Sequence, residues 1–198
     1  MRSSFALLIA LFFLIGCQEG VTEKVESTHQ HETRVEKTPG KKSLSPHTSA
    51  MAMIGDAHVH IDYSSPGVRN RIIFGGLLAY DEVWQAGAHM ATWVETDKDL
   101  TIDGKTLEAG KYGFFIIPSK DKWTVIFNTR WDQHGKDEYS TEEDVLRLEV
   151  TPEISEEITE HLVYTIDETG PNQGRITLAW EKATISFPFQ VINHDGHE

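Results

Sequence analysis

Asp56-Ala-His-Val-His-Ile-Asp-Tyr63 alternates polar and apolar side chains without a break. It opens the longer stretch DAHVHIDYSSPGVRNRIIFGGLLAYDEVWQAGAHMATW, residues 56–93. Ala57, Val59, Ile61 and Tyr63 fall on one side, and Asp56, His58, His60 and Asp62 on the other. A period of two over eight residues is the pattern of a β-strand with one buried face. Ser64-Ser65-Pro66-Gly67 then reads as a turn, because proline removes a ladder donor and glycine accepts positive φ.

The same reading extends downstream. Arg69–Phe74 is short and apolar at its end, and Gly75-Gly76 breaks it. Tyr80–Trp84 reads as a turn or a single helical turn, and His89–Thr96 as a strand. Asp103-Gly104, set between the alternating residues of 100–107, is a strong hairpin signal. Tyr112–Ile117, Trp123–Asn128, 145–150 and Ile158–Ile166 follow as strands, with a polar loop over Trp131–Glu143. Arg175–Trp180 and Thr184–Val191 read as a closing hairpin around Glu181-Lys182-Ala183. Roughly nine or ten short strands at eight-to-twelve-residue spacing, with no long helical period, predict an all-β chain. The expected architecture is a single antiparallel β-sandwich or barrel-like domain over residues 51–192, with a polar tail at 193–198.

Upstream of this domain the composition changes. Arg2 precedes the apolar run FALLIALFFLI over 5–15, which suits a signal-peptide core and is too short to span a bilayer. Leu14-Ile15-Gly16-Cys17 resembles the lipobox of bacterial lipoproteins. That resemblance implies a signal peptide over 1–16, cleavage before Cys17 and lipid on its thiol; the alternative is a secretory peptide with an incidental cysteine. Several acyl chains on one residue would hold the protein firmly on a membrane. The expected location is the bacterial cell envelope, with the outer membrane favoured because no aspartate follows Cys17. Residues 17–50 are polar and broken by proline and glycine, the composition of a disordered tether.

Cys17 is the single cysteine, so an intrachain disulfide and a cysteine-based zinc site are both excluded. The formal net charge is −13. Residues 1–50 carry six basic and five acidic side chains, so the excess acid lies in the folded part. Such a surface disfavours nucleic acid, whose phosphates need a basic face.

The motif order is distinctive. Tyr63-Ser64-Ser65-Pro66, Val68-Arg69-Asn70-Arg71, Phe74-Gly75-Gly76-Leu77, Val83-Trp84 and Gly87-Ala88 come first. Ile102-Asp103-Gly104-Lys105, Ala109-Gly110-Lys111-Tyr112-Gly113, Ile117-Pro118 and Trp123–Asn128 follow. Across nearly all of residues 56–192 the chain resembles the bacterial family termed domain of unknown function 2911, whose members are often secreted or lipid-anchored. The resemblance implies one β-rich domain and brings no activity with it. Where relatives carry threonine before the Gly-Ala pair, this chain has Ala86.

Several constellations could carry chemistry. His58 and His60 share a strand face about 6–7 Å apart. With His89 and His134 they are candidate metal ligands, and imidazole suits zinc or copper. Met51, Met53 and Met90 are soft thioethers nearby in sequence. The competing reading is a set of solvated strand-face histidines. Arg69 and Arg71 beside Ser65 could clamp an anion, or could pair internally with Asp62, Asp81 or Glu95. Trp84, Trp93 and Tyr80 could stack on a sugar or could be core packing. Ser64 and Ser65 near His60 lack a nucleophile elbow. Three functions stay open. The leading one is an envelope binding module for a metal ion or small ligand. The others are a periplasmic or surface hydrolase, metal-dependent or Ser/His, and a structural envelope protein.

Overall fold

The computed structural model describes residues 43–192. The expected signal segment, Cys17, His29, His31 and the polar tail lie outside the described residues.

Two antiparallel sheets pack face to face as an all-β sandwich. The strands are β1 (His47–Ile54), β2 (Ala57–Ser64), β3 (Thr92–Thr96), β4 (Leu100–Ile102) and β5 (Lys105–Leu107). They continue as β6 (Gly110–Ile117), β7 (Trp123–Asn128), β8 (Asp144–Val150), β9 (Glu153–Gly170) and β10 (Gln173–Val191). The six-stranded sheet runs β1-β2-β3-β6-β7-β8, and the four-stranded sheet β5-β4-β10-β9.

The alternation that marks β2 does what it predicts. Ala57, Val59 and Ile61 are fully buried, while His58, His60 and Asp62 stay on the outer face. Between the sheets lie Phe114, Phe127, Phe187 and Phe189, with Trp84 stacked on Trp180 at 5.6 Å. Asp103 and Gly104, at φ 50° and 70°, make the expected tight hairpin of β4 and β5.

Several features depart from the sequence reading. β1 begins at His47, inside the segment read as tether. It is an edge strand whose inward positions are Ala50, Ala52 and Ile54, and the two alanines are too small to print a hydrophobic signal. The expected strand from His89 starts only at Thr92, because His89 sits at φ 64° in a turn. The closing hairpin is instead one strand of 19 residues. Its register against β9 shifts on both sides of Glu181, which takes φ 57°. The polar triplet 181–183 is thus a β-bulge, not a reversal.

Beyond β2 the chain crosses between sheets. Pro66–Val68 runs along the β9 edge: Leu162 N donates to Pro66 O at 3.0 Å, and Val68 N donates to Glu160 O at 2.7 Å. The turn expected at Ser64–Gly67 therefore comes later, at Arg69 and Asn70, both at positive φ, because Ser64–Gly67 is still paired with neighbouring strands.

Candidate ligand-binding face

The outer face of the six-stranded sheet holds the unusual side chains. Register sets Asp62 beside Trp93 and Gly113 in one row, and Met51 beside His60, Glu95 and Lys111 in the next. Gly113 matters here. A side chain there would approach Arg130 O to 2.9 Å and Trp131 Cα to 3.2 Å. Its absence lets the loop after β7 lie directly on the sheet and bring Trp131 beside Trp93. The two indoles stand 6.5 Å apart at 69°. Lys111 Nζ sits over both rings, 3.4 Å from one centroid and 4.0 Å from the other. That contact couples the two rings through cation–π attraction.

Next to the indoles is a groove of about 250 Å³, lined by His47, Asp62, Ser64, Met90, Trp93, Trp131 and Asp132 among others. His47 Nε2 and Asp62 Oδ1 are hydrogen-bonded at 2.8 Å across the β1–β2 pair. The groove therefore combines flat apolar walls with a fixed imidazole–carboxylate couple and a second carboxylate. A wider depression of about 540 Å³ lies at Lys105, Lys122, Arg147 and Glu149. Its cations are engaged: Lys105 Nζ donates to Arg147 O at 2.7 Å, Lys122 pairs with Glu149 at 2.9 Å and Arg147 with Asp144 at 3.3 Å. It is the poorer ligand site despite its size, because a ligand would have to displace those partners.

The anticipated site residues are dispersed. His58 and His60 lie side by side in the sheet, ring centres 6.0 Å apart, and His60 packs edge-on to Trp93 at 4.9 Å. His89 and His134 meet elsewhere: Gly135 N donates to His89 O at 2.7 Å, Met90 bridges to His134, and the His134 ring contacts Asp137 at 3.3 Å. Among the described residues no group of three or more His, Cys, Asp or Glu side chains is set to hold a metal ion. Arg71 donates to Val68 O and Gly67 O, at 3.0 and 2.7 Å, so it braces its own turn. Arg69 is exposed on that turn. Ser65 Oγ donates to Leu162 O at 2.7 Å in a buried setting. Trp84 is a core residue whose Nε1 donates to Gly87 O at 3.0 Å. Ala86 is buried at φ 53°. Its carbonyl accepts from Thr92 Oγ1 at 2.9 Å and Tyr164 OH at 2.7 Å.

Sequence reasoning missed His47, Trp131 and Asp132 as groove residues. The one signal was Gly113 in a strand of large apolar residues, which marks a close backbone approach without saying what approaches.

The family model described as "Protein of unknown function (DUF2911)" matches residues 45–189. The chain belongs to this family. The match covers every strand just described, from near the start of β1 almost to the end of β10, so the DUF2911 unit and the sandwich are the same object. No curated protein and no solved structure matches the chain.

Proposed function

We propose that the protein is a carbohydrate-binding module held on the bacterial cell envelope through lipid on Cys17. The observation that carries the ligand class is the Trp93–Trp131 pair at the groove, coupled by Lys111 and flanked by the His47–Asp62 couple and Asp132. Sugars present apolar C–H faces that pack on indole and hydroxyls that donate to carboxylates. A groove of about 250 Å³ accommodates a ring or two of an oligosaccharide. What supports the compartment is the apolar leader and the Gly16-Cys17 junction.

Calorimetric titration with soluble cello- and chito-oligosaccharides tests the ligand, and cell fractionation tests the anchor. Trp131→Ala should abolish binding and leave the protein with the membranes. Cys17→Ser should release it to the soluble fraction with binding intact. Unchanged binding in the Trp131 variant, or no binding by the parent, would sink the carbohydrate reading.

A second reading rests on the His47–Asp62 couple, whose carboxylate orients an imidazole as it would in a general base. Ser64 lines the same groove, whereas Ser65 is taken by the Leu162 carbonyl. Ester turnover lost in Ser64→Ala would favour a hydrolase over a binding module.

A further inference from the structure

The outer faces of β1 and β2 carry a second set of side chains that the groove does not use. Register pairs Met51 with His60 and Met53 with His58. Strand alternation puts all four on one face, and directly paired residues are about 4.5–5.5 Å apart at Cα. The two methionines are 60% and 56% exposed, so both thioethers are available on the surface. His58 and His60 have ring centres 6.0 Å apart. Two imidazoles bound to one ion at about 2.0–2.1 Å would place their ring centres about 5–6 Å apart. Independently, His60 Nε2 is buried and has no hydrogen-bond partner. A desolvated ring nitrogen of this kind calls for an explanation, and a coordinated cation is one.

We propose that Met51, Met53, His58 and His60 bind one cuprous ion. Thioether sulfur is a soft ligand that selects Cu(I), and imidazole completes the set. Zinc sites draw on thiolate, imidazole and carboxylate rather than thioether. That fits the lack, among the described residues, of any group of three His, Cys, Asp or Glu side chains able to hold an ion. The acidic surface raises the local concentration of any cation. Binding is a ligation step with no change of oxidation state. It does not rest on the carbohydrate reading.

The test is an anaerobic Cu(I) titration of the full chain against a chromophoric Cu(I) chelator, in a His29→Ala/His31→Ala background that removes the other His-x-His pair. One Cu(I) per chain is expected, with sulfur scattering in the copper X-ray absorption spectrum. Met51→Leu with Met53→Leu keeps volume and apolarity at exposed positions, so the fold persists. It should weaken Cu(I) binding by more than about tenfold and leave weak Zn²⁺ binding unchanged. His60→Gln should lose the stoichiometric site. Equal Cu(I) affinity in the leucine variant, a nitrogen-only absorption spectrum or less than one ion per parent chain would each overturn the proposal.

Discussion

At the residue scale, burial raises the pKa of three phenols among the described residues, Tyr112, Tyr139 and Tyr164. Burial, then the Asp144 carboxylate, pushes Tyr139 up to about 12, and its hydroxyl donates to Asp144 Oδ2 at 3.0 Å. Burial drives Tyr164 well above the ordinary value of 10.0, with the neighbouring Tyr63 adding to it. A raised phenol pKa means the folded chain keeps a proton that the unfolded chain releases. The stability it supports is complete below pH 10 and is lost as pH rises from there towards about 12. Chemical denaturation along this range should show stability falling steadily. Tyr139→Phe should cost about 1 kcal/mol at neutral pH for the lost hydrogen bond and then fall less steeply above pH 10. An unchanged alkaline slope in that variant would show that Tyr139 is not among the groups responsible.

At the element scale, β10 shows where sequence reading reached and where it stopped. Ile176, Leu178 and Trp180 alternate inward as expected, and so do Ile185, Phe187 and Phe189. Glu181-Lys182-Ala183 looks like a turn in sequence because it interrupts the alternation with charge. A bulge interrupts it in the same way, and only the partner strand distinguishes the two. β9 runs unbroken past it, so the chain bends instead of reversing. The bulge has a second effect: the Glu181 carboxylate accepts from Ile73 N at 3.1 Å and Phe74 N at 3.3 Å, fixing the turn that feeds Phe74 into the core. Glu181→Ala should destabilise the domain by about 1.5–3 kcal/mol, seen as a lower urea midpoint at unchanged slope. Glu181→Gln, which keeps one acceptor, should recover part of it. A midpoint equal to the parent in the alanine variant would mean that solvent replaces the carboxylate at no cost.

At the scale of the whole molecule, the sandwich was legible because its alternating strands carry large apolar residues. The candidate face was legible only in parts. His58, His60 and Trp93 stand out from composition and alternation. Trp131 and Asp132 lie in a polar loop with no period of their own, and they join the face because Gly113 admits that loop, a relation visible only in three dimensions. His47 reads as tether in sequence because β1 buries so little. That same strand has a mechanical consequence. β1 is the outermost strand of its sheet, and the chain enters it at His47. Tension transmitted from the preceding residues would therefore peel β1 from β2 one backbone pair at a time, beginning with His47 and Ser64 and reaching Ser49 and Asp62 soon after. His47, Ser64 and Asp62 line the groove, so a taut N-terminal segment would dismantle it before the core yields. Single-molecule pulling through the N-terminal segment should show a weak early event that bound oligosaccharide strengthens, and pulling between two points within β10 should lack it.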